Sequence, residues 1–225
     1  MMSPNIEPGD DIQSRSVEYR HVTFITVEGV EGCGKSTLIA GLAERLRARD
    51  QETIVTREPG GTPAGDAIRE IFLRPGLEIA PLTEALLINA SRAQHVVDRI
   101  GPALRRGAIV LCDRFVDSTL AYQGYGRGID LALLREICDT ATGGLEPDLT
   151  FVLDLPIPIS RERIAARDGQ ARDRMELEDL GFYERVRRGF LDLAERSKRY
   201  HVLDATKPPE ELAAQAYRVL SGVLA

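Results

Sequence analysis

The sequence predicts an α/β fold with a mostly parallel, five-stranded sheet covered by helices on both faces. Short β-branched runs alternate with segments of helical periodicity along the chain. Several of the short runs are apolar throughout, as strands buried on both faces must be. No segment repeats at a fixed period, which sets aside solenoids and propellers.

The first strand is expected at Val22–Val27, ending at Glu28-Gly29, with a helix opening at Lys35 and placing Leu38, Ile39, Leu42 and Leu46 on one side. Thr53–Thr56 is a weaker strand, followed by the turn-like Arg57-Glu58-Pro59-Gly60-Gly61 and a helix from Thr62-Pro63 toward Leu73. A longer helical region runs from Leu82 to Ile100, where Gly101-Pro102 is expected to interrupt it. Ala108–Cys112 is the clearest interior strand. Then come a helix at Leu131–Thr142, a strand at Leu149–Leu153 and a short helix near Ser160–Ala166. The helix containing Phe182, Val186 and Phe190, a strand at Tyr200–Leu203 and a helix at Pro209–Leu224 complete the alternation.

At 225 residues, 43% of them hydrophobic, the chain is large enough for one substantial core. Residues 21–225 are expected to form that domain, with a lid at about 167–179. Residues 1–20 mix Pro, Gly, Asp, Ser and Arg without a period and read as a mobile extension rather than a signal peptide. No apolar run approaches the roughly 18 residues of a membrane span. A net charge of -6 argues against a broad nucleic-acid surface. Only Lys35, Lys198 and Lys207 among the 29 basic residues are lysines, so most cationic positions carry the planar fork suited to phosphate. Cys33, Cys112 and Cys138 cannot all pair and lack metal-ligand spacing, which suits a reducing, cytoplasmic compartment.

Gly29-Val30-Glu31-Gly32-Cys33-Gly34-Lys35-Ser36 matches the eight-residue phosphate-loop pattern, with Thr37 following, between a strand and a helix. Its glycines allow backbone N–H groups to surround phosphate oxygens at a helix start, where an anion is favoured. The P-loop NTPase type of α/β fold follows. Lys35 is expected at the β- and γ-phosphates of ATP, and Ser36 at a magnesium ion. The loop does not choose a reaction, because ATPases, GTPases and kinases all carry it. Downstream, Asp113 ends a strand and is placed to hold magnesium through water, with Arg114 beside the phosphates.

Five landmarks together resemble the thymidylate kinase family: the phosphate loop after Glu28, Arg57–Thr62, Ser91-Arg92-Ala93-Gln94-His95, Asp113–Gln123, and Asp173-Arg174-Met175-Glu176. The resemblance runs from about His21 to the last helix. It implies ATP-dependent phosphorylation of dTMP to dTDP by a magnesium-dependent homodimer. Arg57 then approaches the monophosphate, Arg92 reads the thymine carbonyl edge, and Arg114 is a second phosphate-side arginine. Tyr122 crowds the sugar 2′ position, Thr119 and Gln123 fall near base and sugar, and Glu31 lies near the acceptor sugar and phosphate. The family commonly has Phe four residues before the base-reading arginine; here that position is Ile88, which covers a base without ring stacking. His95 is expected to be structural. Transfer to an already anionic phosphate needs no strong base.

The stretch Arg167-Asp168-Gly169-Gln170-Ala171-Arg172-Asp173-Arg174 resembles the family lid. With an acidic residue, Glu31, in the phosphate loop, the resemblance implies a catalytic arginine from this lid. Arg167 and Arg172 are the two candidates, and their spacing does not choose between them. Closure of such a segment would exclude water and oppose ATP hydrolysis.

Overall fold

A computed structural model describes residues 23–166 and 173–224. The described residues form one five-stranded sheet in the order β2-β3-β1-β4-β5, every neighbouring pair parallel. The strands are β1 (Phe24–Glu28), β2 (Thr53–Arg57), β3 (Ile109–Asp113), β4 (Leu149–Asp154) and β5 (Tyr200–Asp204). The expected parallel α/β architecture is therefore present, with strand ends moved by one or two residues.

Because side chains alternate across a strand, each strand feeds two cores. Ile25 and Val27 of β1, Ile109 and Leu111 of β3, and Phe151 and Leu153 of β4 face α1 (Lys35–Arg47) and α9 (Pro209–Leu224). Phe24, Val110 and Cys112 face the opposite way, against Ile100, Ala103 and Leu104. The register Phe24↔Val110 and Ile25↔Leu111 keeps each set on its own side. On the second face the buried hydroxyls of Thr26 and Thr150 hydrogen-bond at 2.8 Å, so this polar pair enters the interior with a partner.

Helices α2 (Pro63–Leu73) and α3 (Pro81–His95) follow the edge strand β2. Thr62 caps α2 by accepting from the Gly65 N–H, and Pro63 occupies a position whose N–H would have no partner. Gly101-Pro102 does not end the long helical region. A π-helical turn at Val96–Ile100 carries α3 into α4 (Gly101–Arg105). Pro102 tolerates this because it starts the new helical segment. A side chain on residue 101 would press its Cβ to 2.9 Å from the Val96 carbonyl oxygen, so glycine is needed there. A second π-helical stretch, Leu120–Gly126, continues the short α5 (Val116–Thr119). The remaining helices are α6 (Leu131–Thr142), α7 (Ile157–Ala165) and α8 (Leu180–Ala194). Among the positions singled out above, residues 1–20, Arg167 and Arg172 lie outside the described residues, as does the first part of the expected lid, residues 167–172.

Strand order reverses direction beside β1, and a crevice at such a point collects the loops leaving the carboxyl ends of its strands. Val27 pairs with Asp113, and Arg57 pairs with Asp113 from the other side. The Arg114 N–H donates to the Val27 carbonyl and the Glu58 N–H to that of Asp113, extending the register into the loops. Three distant segments of sequence are thereby brought to one edge.

Candidate active site

The loop after β1 is shaped by backbone. Gly29 has φ +138°, and a Cβ there would meet the Leu153 carbonyl oxygen at 2.6 Å. Val30 and Cys33 turn their side chains into the core, where Cys33 Sγ lies 3.7 Å from Lys35 Nζ. Lys35 donates from Nζ to the carbonyls of Gly29 at 3.2 Å and Val30 at 3.0 Å, which spans the loop with a buried ammonium. Ser36 Oγ donates to Asp113 Oδ2 at 3.1 Å. A hydroxyl and a carboxylate side by side at a phosphate loop are the hard oxygen donors magnesium takes, directly or through water.

Across from the loop, Arg114 stands in the left-handed region, with φ +71°, a strained conformation for a side chain of this size. Its guanidinium repays the strain with three bonds: to Glu31 Oε1 at 2.9 Å, Ser118 Oγ at 3.0 Å and Tyr122 Oη at 3.1 Å. Tyr122 Oη in turn donates to Glu31 Oε2 at 2.6 Å. Burial by itself would raise the Glu31 carboxyl, but the charges of Arg114 and Lys35 with the Tyr122 hydroxyl hold it below the ordinary carboxylate value. Behind this group Ser118 donates to Glu28 Oε2 at 2.6 Å, and the Phe115 N–H donates to Glu28 Oε1 at 2.7 Å. Burial, reinforced by the nearby charge of Asp117, pushes Glu28 up to about 8.

Arg92 on α3 is 1% exposed and nearly fully committed. Nε donates to Glu58 Oε2 at 2.7 Å, Nη1 to Asn89 Oδ1 at 2.7 Å and Nη2 to the Phe115 carbonyl at 2.9 Å. A weaker contact joins Nη1 to Cys138 Sγ. Of five N–H donors, this leaves one on Nη2 for a ligand. Glu58 also meets His95 Nδ1 at 2.9 Å, and His95 Nε2 meets Thr56 Oγ1 at 2.6 Å. His95 is thus part of a buried chain that orients Arg92, as its expected structural role required. Gly61 completes the packing, since a Cβ there would come within 2.7 Å of both His95 and Thr56.

One cleft of about 420 Å³ joins these groups. Its walls include Glu31, Gly32, Gly34, Lys35, Ser36 and Thr37 from the loop, and Arg57, Ile88, Arg92, Asp113, Arg114, Thr119, Tyr122 and Gln123 from the other side. Of the expected site residues within the described segments, only Gly29, Val30 and Cys33 do not line it.

The family model described as Thymidylate kinase matches residues 27–216, most of the chain and every wall of this cleft. The chain belongs to the thymidylate kinase family. It is 55% identical over 199 residues to a thymidylate kinase of Deinococcus radiodurans, covering 88% of this chain and 96% of that one. It is 52% identical over 204 residues to a thymidylate kinase of Thermomicrobium roseum, covering 89% and 95%. A crystal structure of thymidylate kinase from Ehrlichia chaffeensis superposes with a TM-score of 0.73 at 35% identity, covering 89% of this chain and 99% of that one.

Beside the residues that mark the thymidylate kinase family, the cleft holds others that pattern reading did not reach. Arg69, on α2, lines it and donates to the Pro59 carbonyl at 3.0 Å. Burial and the like charges of Arg57 and Arg114, which line the same cleft, lower its pKa. Phe72, Leu73 and Met175 join Ile88 in an apolar wall, so Phe72 brings a ring although position 88 does not. Two polar atoms of the cleft residues, Thr119 Oγ1 and Gln123 Oε1, are buried with no hydrogen-bond partner among the described residues. No local signal would have disclosed Arg69: it sits seven residues past the Thr62 cap, on a face that only the folded turn at Pro59 directs inward.

Proposed function

We propose that this cleft transfers the γ-phosphoryl group of ATP directly to the phosphate of dTMP, giving dTDP for dTTP synthesis. The observation that carries this reading is one crevice with phosphate-loop Lys35 and Ser36 on one side and Arg57, Arg69, Arg92 and Arg114 on the other. ATP phosphates lie along the Gly29–Thr37 backbone. The dTMP phosphate lies among Arg57, Arg69 and Arg114, which neutralise two anions that would otherwise repel. Direct in-line transfer then depends mainly on position, with no covalent enzyme intermediate.

Ser36 and Asp113 would hold magnesium, which when bound neutralises phosphate charge. Glu31 remains ionised and orients Arg114 and Tyr122. The Tyr122 ring faces the sugar side, and its hydroxyl is spent on Glu31, so discrimination against ribose rests on ring bulk. Arg92 offers its single spare N–H to the thymine O4. Gln123 Oε1, an acceptor without a partner among the described residues, suits the thymine N3–H. Cytosine reverses both groups and would set donor against donor and acceptor against acceptor. Ile88 and Phe72 cover the base apolarly. Arg167 or Arg172, outside the described residues, supplies further cationic charge as the phosphoryl moves.

Leu82, Leu86 and Val97 are exposed along α3 and its continuation, which supports a homodimer packed through this surface. Sedimentation tests it, and a monomer at working concentration would refute it. Cytoplasmic operation is supported by three free, buried cysteines. Among the described residues no helix is long and apolar enough to cross a membrane. The reaction itself is tested by a coupled assay over nucleoside monophosphates. dTMP is expected to be preferred; preference for UMP, CMP or AMP would overturn the substrate assignment.

A further inference from the structure

We propose that Glu84, which does not line the cleft, is the positioning residue that sets pyrimidine selectivity by fixing which end of the Gln123 amide faces the base. The inference rests on the dTMP reading above and deepens it. Glu84 lies in the first turn of α3, fully buried. Its carboxylate has four contacts. Oε2 accepts from Gln123 Nε2 at 3.2 Å and from Arg127 Nε at 3.1 Å; Oε1 accepts from Arg127 Nη2 at 2.9 Å and from Arg174 Nη1.

An amide has a donor end and an acceptor end of nearly equal shape, so shape alone does not orient it. Chemistry does. A carboxylate paired with two guanidiniums only accepts, and therefore demands the NH₂ end of Gln123. The carbonyl end is left over: Gln123 lines the cleft, and its Oε1 is buried with no hydrogen-bond partner among the described residues. Reversing the amide would place two acceptors together in a buried site and strand the NH₂, a double loss. Glu84 thus holds Gln123 in the polarity that matches a pyrimidine with a protonated N3. Arg127 is anchored further by Glu178, and Arg174 by the Phe72 carbonyl, so the carboxylate is itself held from two sides.

The test compares kcat/KM for dTMP, dUMP and dCMP in the wild-type enzyme and in Glu84→Gln. A neutral amide at position 84 accepts or donates, which frees Gln123 to reverse. The expected result is a dTMP:dCMP ratio lowered by about tenfold or more, the worth of one hydrogen bond. The dTMP:dUMP ratio should stay unchanged, because both bases carry N3–H. A merely structural role would depress all three substrates together, and that outcome overturns the proposal. Glu84→Asp keeps a charged acceptor but withdraws it by one methylene from Gln123 and the arginines alike; its readout is again the substrate ratio, so it decides the matter if Glu84→Gln does not fold. It should shift the same ratio less, and an unchanged ratio refutes the assignment. In a Gln123→Met background, either change at Glu84 should no longer alter the ratio; a persisting shift contradicts action through Gln123. Wild-type enzyme that fails to use dTMP would instead refute the reaction assigned above, independently of Glu84.

Discussion

The two halves of the cleft are built from different materials. On the side proposed for ATP, the wall is a glycine-rich turn of main chain, and Lys35 bridges loop carbonyls only six and five residues away. On the side proposed for dTMP, side chains line the cleft, and the central arginines are held by other side chains from elsewhere in the fold. Arg92 is held by Glu58, 34 residues distant, and Arg114 by Glu31, 83 residues distant. A backbone site suits phosphate, which is the same in every nucleotide. Discriminating one base from another needs oriented donors and acceptors, and these need braces.

This contrast ranks the expected effects of substitution. Arg92→Ala should be the most damaging to the fold, because it leaves Glu58 buried with only His95 for company. A loss of about 3–5 kcal/mol in urea unfolding is expected for breaking such a buried pair, together with a raised KM for dTMP. Unchanged stability and kinetics would show that the acceptor side is not braced in this way. Lys35→Ala should spare the fold and lower kcat by about 10²–10³-fold, the scale of one lost charge-stabilising donor. Turnover near wild type would remove Lys35 from the transition state.

Smaller effects sharpen the comparison. Tyr122→Phe keeps the ring but removes bonds to Glu31 and Arg114, at a cost of about 1 kcal/mol for each. The preference for deoxyribose over ribose should persist, and its loss would mean that the hydroxyl reads the sugar. Ile88→Phe adds a ring to a wall that already carries Phe72, so an overpacking cost of about 1–3 kcal/mol is expected rather than tighter dTMP binding; calorimetry with dTMP checks it. Glu28 supplies the pH dependence. Its folded value of about 8 lies above the ordinary 4.5, so the folded state binds the extra proton between those values. Stability should therefore fall as pH rises from about 4.5 to about 8, and Glu28→Gln should flatten that slope. Equal slopes in the two proteins would contradict the buried, proton-retaining carboxylate.

The difference between the halves also explains what could be read from sequence. Strand and helix placement followed from apolar runs and caps: Pro209–Leu224 and Leu131–Thr142 agree to the residue. The phosphate loop was legible because all its parts are contiguous. Arg57, Arg92 and Tyr122 were reached only through resemblance of several landmarks. Glu58 stood in one of those landmarks with no role to assign, since its partner Arg92 is brought to it by α3. Glu84 carried no signal at all: Gln123 is 39 residues away and Arg174 is 90. Gly101-Pro102 misled because breaker rules assume a regular helix, whereas a π-helical turn lets the chain restart at the proline.

The account stands on ATP and dTMP occupying adjoining ends of one crevice. Adenosine and thymidine joined 5′ to 5′ by five phosphates would occupy both ends at once, and its binding by titration calorimetry tests this directly. It should bind far more tightly than ATP or dTMP alone, with that advantage lost in either Lys35→Ala or Arg57→Ala. Binding no tighter than ATP alone, or indifference to Arg57→Ala, would contradict the shared cleft.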